Sequence, residues 1–161
     1  MKKAITSLII AILLLGCTST TEIETPSDFS FIYSTGAMHT EWGVYHLEVK
    51  ENGEATYTKT IEETSKEYKF NLSQKEKSAL YETMIKNNFF SLKETYKDPS
   101  IMDGGFSELN VHANNKWKKV TVENYYLEEF ENIEREISIL LRKKLDAPFS
   151  FDDVLNDLED E

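Results

Sequence analysis

The residues able to do chemistry are few in this 161-residue chain: one cysteine at position 17, three histidines, and 29 carboxylates against 18 lysines and arginines. A lone thiol cannot close a disulfide within the chain. His39, His46 and His112 fall into no H-x-H, H-x-x-H or H-E-x-x-H spacing, so no metal site and no cofactor are expected. A serine nucleophile leaves its trace as a G-x-S-x-G elbow, which is absent, and Ser34, Ser100 and Ser107 read as turn residues. A carboxylate pair of the glycosidase kind could be drawn from 29 acids, but such abundance selects no pair. Six glycines form no phosphate-cradling pattern. No catalytic residue is assigned, and a binding or interaction domain is expected rather than an enzyme.

Two segments could recognise a partner. Between Tyr96 and Phe106, YKDPSIMDGGF places Tyr96, Asp98, Met102 and Asp103 in one connection with two glycines, a candidate partner-binding loop. The same residues also suit a turn, with glycine free to take positive φ and aspartate capping it. Trp42, Tyr45, Tyr57 and Tyr68 could line an exposed aromatic face suited to a peptide or sugar, or pack as cross-strand core.

The elements that must position these residues follow from periodicity. Strands are expected over Phe29 to Tyr33, Val44 to Val49, Glu54 to Ile61 and around Tyr68 to Leu72, with Asn52-Gly53 as a tight turn taking positive φ at both positions. Ser73 and Glu76 have capping-box spacing, and Leu80, Tyr81, Met84 and Ile85 form a helical stripe to about Asn87. Phe106 to His112 and Trp117 to Val122 read as a hairpin joined by Ala113 to Lys116. Phe130, Ile133, Ile137, Leu140 and Leu141 predict an amphipathic helix from about Tyr126 to Lys144, with acids early and bases late, as the helix dipole favours. The expected class is α+β: a mainly antiparallel sheet, grouped as about four strands, helix, two strands, helix, packed by two amphipathic helices.

The N-terminus carries a separate signal. Lys2 and Lys3 precede an apolar run to Leu15, too short for the roughly 20 residues of a membrane-spanning helix and ordered like a secretory signal peptide. Leu14, Leu15, Gly16 and Cys17 resemble the lipobox of prokaryotic lipoproteins. That resemblance implies cleavage between Gly16 and Cys17, lipidation of Cys17 and a membrane partner reached through the lipid anchor, on the extracytoplasmic side of the cell membrane. Otherwise Cys17 is a free thiol in an oxidising compartment with nothing to pair with. The succession from the Asn-Gly hairpin through Leu72 to Glu76, Asn88 to Leu92, Tyr96 and Asp103 to Gly105 resembles an uncharacterised domain family of bacterial and archaeal secreted proteins and lipoproteins. The family implies no activity and no site residues.

Organisation follows: residues 1–16 a signal peptide, 17–27 a lipidated cysteine and Thr-rich tether, 28–146 a single domain, 147–161 an acidic tail. Loss of Lys2 and Lys3 leaves 16 bases against 29 acids, a net charge of −13. Such charge excludes nucleic acid as a partner and leaves an unknown protein or small ligand. A cell-envelope hydrolase using carboxylates and an inhibitor-like or assembly module are the alternatives.

Overall fold

A computed structural model describes residues 23–37, 43–101 and 104–145. The expected signal peptide at residues 1–16, Cys17, His39, Trp42, Met102, Asp103 and the expected acidic tail at 147–161 lie outside them. Within them the chain forms β1 (Ser30–Ala37), β2 (Val44–Val49), β3 (Glu54–Ile61), β4 (Thr64–Asn71), α1 (Gln74–Lys86), a 3₁₀ turn at Phe89–Ser91, β5 (Thr95–Lys97), β6 (Gly105–Ala113), β7 (Lys116–Glu123) and α2 (Glu128–Leu145).

The sheet has seven strands in the order β4-β3-β2-β1-β6-β7-β5, and β5 runs parallel to β7. This overturns the expected sheet of strands grouped four and two: the sheet is mixed, and its edge is made by a strand that the sequence reading placed in a connection. Thr95–Lys97 is too short to show alternation, and its partner lies more than twenty residues downstream. Glu94 carbonyl accepts from Thr121, and Asp98 amide donates to Glu123, extending the short ladder at both ends.

Alternation along the strands separates two faces. Phe31, Tyr33, Leu47, Val49, Tyr57, Leu109, Val111 and Val120 point inward and join Leu80, Tyr81 and Met84 of α1 with Phe130, Ile133, Ile137 and Leu141 of α2 in one core. Tyr45 and Tyr57 are therefore core, stacked 6.5 Å apart with Tyr68 next to them, and form no exposed aromatic face. The capping box at Ser73 and Glu76 is present, and Glu76 also pairs with Lys143 and Lys144 at the far end of α2. That pairing fixes the two helices to each other.

The hairpin turns differ from their expected chemistry. At Asn52-Gly53 only Gly53 has positive φ, 87°, so the connection is a three-residue loop ending in a left-handed glycine. Asn114 and Asn115, with φ of 54° and 59°, make the two-residue mirror-image turn between β6 and β7.

Candidate functional site

Among the described residues, none covers the sheet face opposite the helices. Ser30, Ile32 and Ser34 of β1, His46 and Glu48 of β2, Thr56 and Thr58 of β3, Glu108, Asn110 and His112 of β6, and Trp117, Lys119 and Thr121 of β7 all project to it by strand register. Each is half-buried or exposed. A sheet with one solvated face tolerates this polar row because every central backbone group is satisfied within the ladders.

Mid-face, Ser34 Oγ lies 3.0 Å from His46 Nδ1, a contact between two strands that sequence spacing could not reveal. Glu108 stands beside Ser34 across the β1–β6 pair, but its carboxylate is held by Lys119 at 2.7 Å. Because both neighbours of β1 use its amides, no spare backbone donor faces Ser34 to stabilise an oxyanion. Among the described residues, the serine and histidine are thus a surface hydrogen-bonded pair without the remaining parts of an acyl-transfer site.

At one end of this face the side chains converge on a groove of about 440 Å³, lined by Ser30, Ile32, Glu48, Lys50, Glu51, Asn52 and Trp117 among others. Trp117 is 61% exposed, unusual for the largest apolar side chain in a strand. Its ring stacks on His112 at 4.7 Å and 25°. His112 in turn lies 3.8 Å from both Asp28 and Glu51. Asp28 is itself fixed by amides of Asn114 and Asn115 at 2.9 and 2.6 Å, and these bonds lower its pKa below the usual aspartate value. Beneath the loop, buried Lys77 donates to the Glu51 carbonyl, and burial lowers its pKa. The groove wall is therefore anchored on both sides.

Sequence reasoning weighed His112 only as a metal ligand and passed over Trp117, Asp28 and Glu51 as site residues. Trp117 could have drawn notice as an aromatic sharing the outward parity of Lys119 and Thr121; the others are joined to it only by register. Of the candidate partner loop, Tyr96 lies on β5, half-buried, where its hydroxyl accepts from Lys93 amide at 3.0 Å and its ring meets Tyr125 at 5.8 Å. Asp98 closes its own turn, accepting from the amide and hydroxyl of Ser100, which lower its pKa. Among the described residues, the carboxylate that burial pushes upward is Glu134, bonded by Tyr33 on the helix side of the sheet, the face opposite the groove. Among the described residues no group of three His, Cys, Asp or Glu side chains could hold a metal ion, and no helix is long and apolar enough to cross a membrane.

Architecture and groove define a two-layer α/β domain with one sheet face that the described residues leave open. Residues 31–141 match the family described as a domain of unknown function, DUF6438, and the chain belongs to that family. The matched span holds His112 and Trp117 and leaves out Asp28 and Cys17. No curated protein matches the chain.

Proposed function

We propose that this protein is a non-enzymatic binding domain held at the extracytoplasmic surface of the cell membrane by a lipid on Cys17, and that it binds its ligand through the sheet face at Trp117, which the described residues leave open. The observation that carries the binding role is the exposed Trp117, stacked on His112, beside a groove with convergent polar groups. The anchor is supported by the lipobox-like Leu14 to Cys17 and the polar Thr18 to Ser27 tether, which spans at most ~33 Å when extended and keeps the domain near the bilayer. A net charge of −11 for the whole chain argues for attachment by acyl chains rather than by a basic surface.

Two measurements test the reading. Cys17→Ala should end incorporation of labelled fatty acid and move the protein from the membrane to the soluble fraction; continued labelling would refute the anchor. Hydroxyl-radical footprinting should find Trp117 protected in native envelopes and reactive in the purified protein. Equal reactivity in both would mean that nothing occupies the face and would end the binding role.

The hydrolase alternative gains nothing from the groove, since the carboxylate with the raised pKa lies on the opposite face.

A further inference from the structure

We infer that the outer edge of β4 is a self-association surface, on which the same strand of a second copy pairs antiparallel about a two-fold axis at Tyr68. The sheet ends on two unequal edges. β5 closes one with three residues, whereas β4 closes the other with eight, Thr64–Asn71, none of them proline or glycine, in a register with β3 that no bulge interrupts. Such an edge is a template for a further strand. Its outward groups follow from one bond. The Leu72 amide donates to the Gly53 carbonyl, so alternation turns the amides and carbonyls of Lys66, Tyr68 and Phe70 to β3 and those of Ser65, Glu67, Lys69 and Asn71 outward. The Asn71 carbonyl agrees, since it accepts from Lys144 Nζ at 2.8 Å. Among the described residues, no strand pairs with the outward row.

Self-pairing must set outward residues opposite outward residues, and charge chooses among the registers that do so. An axis at Glu67 sets that carboxylate against its own copy, and an axis at Lys69 does the same for the ammonium. An axis at Tyr68 sets each Glu67 against Lys69 of the second copy. Glu67 and Lys69 already pair within the strand at 2.9 Å and remain exposed, so each keeps that neighbour and gains another, with charges alternating in sign around the axis. Their backbones exchange both bonds across the junction, and at its ends the Asn71 amide meets the Ser65 carbonyl. On the helix side Tyr68 faces Tyr68, and Lys66 faces Phe70, in the closely spaced pairs. Tyr68 and Phe70 are half-buried against the core, so a second copy covers what the fold leaves open. Lysines on an edge deter foreign strands, and here the alternation of charge admits the strand that carries its complement. The axis stands perpendicular to the sheet, so both open faces point the same way. The surface lies apart from Trp117 and does not depend on the binding role.

The test follows the full-length protein by sedimentation velocity over a concentration series, under reducing conditions so that Cys17 forms no disulfide between chains. A monomer–dimer equilibrium is expected, with a dissociation constant on the order of 10 μM for so small an interface. Glu67→Lys sets lysine against lysine across the junction and should weaken association about tenfold or more. Adding Lys69→Glu in the same chain restores the alternation and should recover it. Both positions are exposed, so melting temperatures at dilution should match the wild type, which separates loss of contact from loss of fold. Amide exchange should slow with rising concentration at Glu67 and Lys69 and stay constant at Lys66 and Tyr68, whose amides face β3 in the monomer as well. A protein that stays monomeric far above the expected constant, or a dimer indifferent to Glu67→Lys, would overturn the inference. So would a double variant that fails to recover association. A dimer that leaves the Glu67 and Lys69 amides unslowed would place the contact elsewhere and overturn it too.

Discussion

The Tyr33 hydroxyl donates to Glu134 Oε1 at 2.7 Å, joining the central strand to the last helix across 101 residues of sequence. Burial raises the pKa of both groups, Tyr33 far above its usual value, so the phenol stays protonated and remains the donor. Thr35 and Ser107, 2.9 Å apart, complete the polar cluster beneath α2. A carboxyl with a raised folded-state pKa binds more protons folded than unfolded. The stability linked to Glu134 is therefore fully present below the ordinary glutamate pKa, 4.5, and is lost as pH rises through its folded value. Glu134→Gln should remove that slope: melting temperatures of wild type and variant should converge near pH 4 and diverge towards neutrality in favour of the glutamine. A variant that is less stable than wild type at pH 7 by more than ~1 kcal/mol would show that the charged Tyr33–Glu134 bond outweighs its desolvation.

Glu76 works in the opposite direction. Lys144, Ser73 and Lys143 draw its pKa down to about 2, against the opposing effect of burial. Its contribution is present above 4.5 and is lost as the pH falls towards 2. Glu76→Ala removes both the capping box and the tie to α2 and should cost about 1–2 kcal/mol at pH 7. Glu76→Gln can still reach the Ser73 amide and should cost less, the difference isolating the ion pairs. Urea unfolding of the two variants at pH 7 and pH 3 checks this. Equal losses at both pH values would show that charge plays no part.

The two hairpin turns make a paired prediction. Gly53 has φ of 87°, and a Cβ there would lie 2.6 Å from the Leu72 carbonyl oxygen, so Gly53→Ala combines left-handed strain with a backbone clash and should destabilise by roughly 1–3 kcal/mol. Asn115 is also left-handed but tolerates the conformation, and Asn115→Gly should be neutral or slightly stabilising, within ~0.5 kcal/mol. A comparable loss at both positions would mean that Asp28, which binds the amides of Asn114 and Asn115, depends on the asparagine side chain as well.

These positions show what the sequence made legible. The helix after Ser73 was visible because its cap and stripe are local, with both partners within a turn or two. The apolar spacing of Phe130 to Leu141 likewise announced α2. The edge strand was not legible, because Thr95–Lys97 holds one apolar residue and its order comes from β7 and from the glutamate carbonyls at either end. Parity could assign Trp117 and Thr121 to one face, yet which face the helices cover depends on the assembled sheet. Ser34 with His46, and Asp28 with His112 and Glu51, meet only through register, so periodicity within single elements could not bring the candidate site together.

Lys77 links stability to the groove and makes the last prediction. The residue is 4% exposed on a helix face otherwise given to Leu80, Tyr81 and Met84, and its ammonium donates to the Glu51 carbonyl in the loop that lines the groove. Burial lowers its pKa while the Glu51 charge raises it, so the charged form is held at a cost in the folded state. A folded-state pKa below the unfolded value means that the folded protein binds fewer protons, and this cost diminishes as pH rises through that window. Lys77→Met preserves the aliphatic length and removes the desolvated charge, but leaves the Glu51 carbonyl without its donor. The two effects oppose each other, and thermal unfolding at pH 7 should move by no more than ~1 kcal/mol in either direction. Order in the loop should respond more strongly: amide exchange at Glu51 and Asn52 should quicken, and occupancy of the groove should weaken with it. Unchanged exchange in the loop would show that Gly53 and the Lys50–Glu54 pairing position Glu51 without help from the helix.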